Sequence, residues 1–262
     1  MRLPVIAGNI KRRLLVNFRA DPRVIQGILP EPFRPKLHKG RAIAGICLIR
    51  LEQIRPAGFP AFTGISSENA AHRIAVVWDA PDGGEREGVF IPRRDTSSLL
   101  NSLAGGRIFP GEHHRASFCV RDNGAEVDLT MDSADGLASI HVTGNTAGEL
   151  PATSCFGSLA EASAFFETGC LGYSVTRDPS RLDGILLQTL RWSVAPLNVA
   201  EIYSSYFADE KRFSSGTLEF DHALIMRDIP HEWHKAGDMS IRSREMKNVS
   251  DLVASTGSTG PA

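Results

Sequence analysis

RASFCVRDNGAEVDLTM, residues 115–131, is a pair of alternating runs hinged on Asn123-Gly124. Asn-Gly tolerates positive φ at a tight turn, so Arg115–Arg121 and Ala125–Met131 read as an antiparallel hairpin, with Ala138–Val142 as a third strand. Outward toward the N-terminus, Arg12–Phe18, Arg41–Ile54, Asn69–Trp78 and Glu87–Ile91 also read as strands. Pro81-Asp82-Gly83-Gly84 turns the last pair into a second hairpin. Toward the C-terminus, Gly172–Thr176, Leu186–Ser193 and Gly216–Met226 continue the pattern. Helices are few. Asp21-Pro22 starts one that ends near Gly27, Thr96-Ser97-Ser98 caps another through Leu103, and Leu159–Phe166 forms a third. Glu201–Phe207 reads as a helical connector. The chain is therefore expected to be one α+β domain over 1–249, mostly antiparallel, with a flexible Ser/Thr/Gly-rich tail at 250–262.

Composition narrows the function classes. An apolar share of 42% over 262 residues is enough for a sizeable core. Lys+Arg 29 against Asp+Glu 30 leaves a charge of −1, so no global field attracts nucleic acid or an anionic membrane. Apolar runs such as Ala42–Ile49 are too short to span a bilayer, and no signal-peptide pattern opens the chain. Cys47, Cys119, Cys155 and Cys170 are far apart with no CxxC, which reads as reduced, buried thiols in a cytoplasmic protein. Lysine occurs only at Lys11, Lys36, Lys39, Lys211, Lys235 and Lys247, leaving 40–210 without a primary amine.

The common site motifs are missing. There is no GxGxxG after a strand, no P-loop and no HExxH, and Gly64-Ile65-Ser66-Ser67-Glu68 lacks the closing glycine of a nucleophile elbow. No cofactor and no metal site are predicted: His231 and His234 lack a third ligand, and Pro230 beside Trp233 suits a surface turn. In Glu112-His113-His114, neighbouring strand residues point to opposite faces, so at most one imidazole looks into any cavity. The informative segment is Glu87-Gly88-Val89-Phe90-Ile91-Pro92-Arg93-Arg94-Asp95. Facing solvent, its end is a weak ion pair; facing inward, two permanent cations must be paired or must hold an anion.

The segments LLVNFRADPRVIQGILPEPFRP, AGICLIRL, ISSENAAHRIAVVW and GVFIPRRDTSS, in that order, resemble the DUF2071 (YqjF-like) family of the acetoacetate decarboxylase-like superfamily, over roughly residues 10–230. The resemblance implies a cone-shaped antiparallel β-barrel around a central pocket, with a few outer helices. The superfamily's decarboxylases carry Pro-Lys-Lys at a strand end, where one lysine forms a Schiff base and its cationic neighbour lowers its pKa. This chain reads Pro92-Arg93-Arg94, and arginine cannot form the imine.

The expected function is therefore a pocket that binds a small organic acid or oxo acid. Arg93 and Arg94 would grip the anion, with Arg19 as a third cation. Glu68 and His72 would carry protons if residues 68–76 are extended and share a face. Any turnover would be lyase, hydratase or tautomerase chemistry without an imine. The alternatives are a non-catalytic binding or sensing module, a lyase that recruits Lys36 or Lys39, and a scaffold whose arginines only pair internally. Superfamily members often assemble, so a homo-oligomer fits the resemblance.

Overall fold

Period-two alternation along long strands sets the architecture. The computed structural model describes residues 4–99 and 110–241. Its strands are β1 (Ile6–Ala20), β2 (Arg34–Pro35), β3 (Leu37–His38), β4 (Arg41–Pro56), β5 (Ile65–Asp79), β6 (Glu85–Thr96) and β7 (His114–Asp122). They continue as β8 (Glu126–Ser133), β9 (Ser139–Thr146), β10 (Leu171–Val175), β11 (Arg181–Thr189), β12 (Ala195–Ser204), β13 (Leu218–Lys235) and β14 (Met239–Ser240). The helices are α1 (Pro22–Ile28) and α2 (Leu159–Glu167).

The strands β6-β7-β8-β9-β12-β13-β1-β4-β5 close on themselves as a nine-stranded barrel, antiparallel except at β6–β7. The same five strands β13, β1, β4, β5 and β6 are also bridged by β10 and β11, which pair with β6 and β13. These five strands are thus a wall shared by two enclosures. One face carries Leu14, Val16, Ile46, Leu48 and Phe90 into the barrel core, where Leu129, Met131, Ile140 and Val142 meet them. Burying each such side chain stabilises by about 1.5–3 kcal/mol. The other face carries Arg13, Leu15, Cys47, Ile49 and Val89 into the second enclosure.

One irregularity on this wall matters for the site. Between His72↔Arg93 and Ile74↔Phe90, the single residue Arg73 stands opposite both Ile91 and Pro92. This is a β-bulge that absorbs one residue of β6 at a proline, where no ladder donor is lost.

Both helices begin as their sequences dictate. Asp21 caps α1 by accepting from the Arg23 N–H at 2.8 Å, with Pro22 in the first turn, and Ile25 enters the barrel core. Ser158 caps α2, which lays Ala162 and Phe166 over Leu15, Ile43 and Cys47 on the far face of the wall.

Four expectations need correction. Glu201–Phe207 is no helix: β12 runs to Ser204 and pairs with β9, and a register shift between Val199 and Glu201 breaks the alternation that would have revealed it. The strand expected at Leu186–Ser193 is Arg181–Thr189, because Trp192 turns away to donate its indole N–H to Ser163 on α2. The residues His231–His234 lie in β13, not in a surface turn, so His231 is buried beside Trp233 while His234 faces Glu232. Of the four free cysteines only Cys47 is buried; Cys155 is half-buried, and Cys119 and Cys170 are exposed. The helix expected beyond Ser98 and the tail at 250–262 fall largely or wholly outside the described residues. No helix among the described residues is long and apolar enough to cross a membrane.

Candidate functional site

The second enclosure holds a cavity of about 120 Å³. Its walls are mainly apolar, with Ile49, Leu51, Val89, Ile91, Ile185 and Leu187 among them. Three guanidinium groups interrupt that lining: Arg13 from β1, Arg73 from β5 and Arg94 from β6. Among the described residues none of the three forms an ion pair with a carboxylate. Arg94 donates Nε–H to Ser174 Oγ at 2.8 Å. Arg13 donates Nε–H to Cys47 Sγ at 3.2 Å. Arg73, 5% exposed, donates to Asn17 Oδ1 and lies over the Phe166 ring, and its Nε has no hydrogen-bond partner. Burial pulls Arg73 and Arg94 down to about 10, with the Cys47 sulfur acting the other way. Both stay cationic at neutral pH.

Arg73 is held by a relay. Asn17 donates to the Leu15 carbonyl at 3.0 Å and lies 3.1 Å from His222 Nε2, and His222 Nδ1 is 2.6 Å from the Asp221 carboxylate. An amide N–H can only donate, so His222 Nε2 accepts and its proton sits on Nδ1, facing Asp221. Gly45 makes room for this contact: a Cβ there would lie 2.5 Å from the Val16 carbonyl oxygen and 3.2 Å from Asn17 Oδ1.

His113 is the imidazole of its pair that lines the cavity, while His114 Nδ1 lies 3.1 Å from Asp135 on the other side. His113 Nδ1 is 3.2 Å from the Gly111 carbonyl and donates to it. Burial, then the Arg94 charge, push His113 down to about 3, so it is neutral at pH 7. Gly111 has φ +91 and packs against Ser174, where a Cβ would come within 2.5 Å of Ser174 Cβ.

The residues singled out in the sequence fall on two sides of the wall. Arg94 lines the cavity. Arg93 points into the barrel, where it donates to Asp95 at 2.8 Å, Asp135 at 2.9 Å and Ser133 Oγ at 2.6 Å. The carboxylate next in sequence thus neutralises one arginine and not the other. Glu68 and His72 do share a face with Ala70, but it is the barrel face and each has its own partner. Glu68 accepts from Arg12 at 2.7 Å, and burial pushes its carboxyl up against the pull of Arg12 and Arg50. His72, fully buried, lies 3.0 Å from Ser204 Oγ; burial and then the Arg93 charge hold it down to about 3. Arg19 sits at the end of β1, engaged by Glu219, Asp221 and the Thr153 carbonyl, and does not line the cavity.

Lys36 lines a smaller hollow that shares Arg13 and Arg73 with the main cavity, but its ammonium is 2.7 Å from Glu87 and 2.9 Å from Thr168. Lys39 is tied to Glu161 and the Cys155 carbonyl. Among the described residues, no lysine lines the main cavity. Arg13 and Arg73 were not singled out in the sequence. Their signal was a guanidinium inside an otherwise apolar strand, as in RRLLVNF and HRIAVVW.

Solved structures with this fold are acetoacetate decarboxylase-like. An acetoacetate decarboxylase-like enzyme from Sphingomonas wittichii RW1 matches with TM-score 0.53 and 15% identity, over 93% of this chain and 94% of that one. The acetoacetate decarboxylase from Legionella pneumophila matches with TM-score 0.56 and 13% identity, over 93% and 89%. The enduracididine biosynthesis enzyme MppR, solved in complex with pyruvate, matches with TM-score 0.54 and 9% identity, over 92% and 91%. No curated protein sequence matches significantly. A family model of uncharacterized conserved proteins, DUF2071, matches residues 9–214. The chain belongs to the DUF2071 family, on an acetoacetate decarboxylase-like fold.

Proposed function

We propose that this protein binds a small carboxylate, an oxo acid or a related organic anion, in the arginine-lined cavity. One observation carries the reading: three guanidinium groups that form no ion pair with a carboxylate among the described residues line one mainly apolar hollow. Taking a charge out of water costs several kcal/mol unless an opposite charge meets it, and a bound carboxylate supplies that charge. Size agrees. A cavity of about 150 Å³ accommodates one benzene, so a hollow of about 120 Å³ suits a ligand of about six heavy atoms. In this reading Arg94, Arg73 and Arg13 receive the anion, whereas Arg93, Glu68, His72 and Arg19 support the framework. The protein would act in the cytoplasm on a free metabolite.

Titration calorimetry with pyruvate and acetoacetate tests the proposal. Wild type and Arg93→Met should give matching binding heats, and Arg94→Met should bind about 10–100-fold more weakly, the equivalent of losing one charge-assisted hydrogen bond. No heat with wild type, or equal affinity in Arg94→Met, would remove the basis of the reading. A second reading, a binding or sensing module without turnover, is favoured by the engagement of Glu68 and His72 on the barrel side. Conversion of a labelled oxo acid, followed by NMR, separates the two. Borohydride with acetoacetate should leave the protein mass unchanged; a reduced adduct on Lys36 or Lys39 would instead establish imine chemistry.

A further inference from the structure

We propose that Cys47 is a nucleophile of this cavity, adding its sulfur to the keto carbon of a bound 2-oxo carboxylate. The inference rests on the carboxylate reading above and assigns a chemistry to the same site. Cys47 stands in β4 between Ile46 and Leu48, whose side chains enter the barrel core, so alternation turns its sulfur to the cavity. It is 8% exposed, and Arg13 Nε–H points at Sγ from 3.2 Å. That contact fixes the sulfur's position beside a permanent cation on the cavity wall. A second, independent feature points to a ligand there. Arg73, 5% exposed, lines the same cavity and keeps an Nε–H with no acceptor among the described residues. A buried donor of that kind is satisfied by an oxygen brought in from outside.

The geometry also selects the ligand class. Arg73, Arg94 and Cys47 line the same cavity, so a carboxylate received by the two guanidinium groups shares that space with the sulfur. The electrophilic carbon must then adjoin the carboxylate, as it does in a 2-oxo acid. In the step, a bond forms between Sγ and C2 and the C2–O π bond breaks. Its electron pair goes to oxygen, which takes the proton originally on the thiol. The product is a thiohemiketal, and the addition is redox-neutral and reversible. Cys155 supplies a contrast within the chain: burial and the Asp221 carboxylate push that thiol up to about 12, so it stays protonated and inert.

The test is alkylation of the full-length wild-type protein with iodoacetate and iodoacetamide in parallel, mapped by peptide mass spectrometry. Iodoacetate carries its electrophilic carbon next to a carboxylate. It should label Cys47 about tenfold faster than iodoacetamide does, as expected for a cationic cleft. Exposed Cys119, in β7, should show no such preference, and pyruvate should protect Cys47 but not Cys119. Pyruvate labelled with carbon-13 at C2 should give a tetrahedral-carbon NMR signal with wild type that is missing with Cys47→Ser. An unlabelled Cys47, equal rates with the two reagents, or no tetrahedral signal would each overturn the proposal. If those signals fail while wild type still gives binding heats with pyruvate, the carboxylate reading stands alone; if the heats are missing too, both fall.

Discussion

Replacing Arg94 by methionine should stabilise the ligand-free protein and remove most of its response to carboxylates. The guanidinium has one partner, Ser174 Oγ at 2.8 Å, and no carboxylate among the described residues. Removing it forfeits a hydrogen bond to a charged donor, about 1.5–3 kcal/mol. It also removes a desolvated charge that costs several kcal/mol. Methionine is unbranched and flexible enough to fill the vacated channel. The balance favours the variant by about 1–2 kcal/mol, or about 2–8 °C in Tm for a chain of this size. Ligand works against that order. At a hundredfold excess over Kd, wild type gains about 2.7 kcal/mol, roughly 5–10 °C. With affinity lowered about 10–100-fold, the variant gains only about 0.4–1.4 kcal/mol at the same concentration. Thermal unfolding by circular dichroism, with pyruvate against chloride at matched ionic strength, reads both effects. A variant destabilised by about 3–5 kcal/mol, the loss expected for a paired buried arginine, would refute the reasoning. So would an undiminished shift with pyruvate.

Three further outcomes are expected. Arg93→Met breaks contacts to Asp95, Asp135 and Ser133 and should cost about 3–5 kcal/mol in chemical denaturation while leaving pyruvate affinity unchanged; weakened binding with intact stability contradicts this. His72, His113 and His231 are held neutral, chiefly by burial, at about 3, 3 and 4, below their ordinary 6.5. Their folded values are the lower ones, so their contribution is whole above pH 6.5 and is lost as the pH falls toward 4 and 3. Each accounts for up to about 1.4 kcal/mol per pH unit, and a flat Tm between pH 7 and 5 would contradict it. Gly45→Ala drives a Cβ into the Val16 carbonyl and Asn17, so it should cost about 1–3 kcal/mol and weaken pyruvate binding by unseating Arg73. Unaltered affinity in a folded Gly45→Ala protein would dissociate Arg73 from the ligand.

Local chemistry made much of this fold legible. The Asn123-Gly124 hairpin, the Asp21-Pro22 helix start and the extended run through Glu68 and His72 all follow from short-range rules, and all three are present. Even the shared face of Glu68, Ala70 and His72 was readable from period two. Which enclosure that face looks into was not, because it depends on how β10 and β11 bridge β6 to β13, a pairing between residues far apart in sequence. Bulges were the other obstacle. The register shift in β12 concealed a strand, and nothing short-range marks where alternation changes phase. Arg13 and Arg73 carry no short-range mark beyond a lone guanidinium in an apolar strand, and the sheet divides the adjacent Arg93 and Arg94 between two compartments.

The extra residue at Ile91-Pro92 decides which arginine of β6 the pocket receives. With an uninterrupted pleat, the side chains in phase with Val89 and Ile91 would be Arg93 and Asp95, a cation arriving with its own counterion. The bulge shifts the phase by one, so Arg94 enters the cavity while Asp95 stays paired with Arg93. The identical dozen residues of β6, ironed flat, would bring in a guanidinium already neutralised; one surplus peptide unit delivers one that is not.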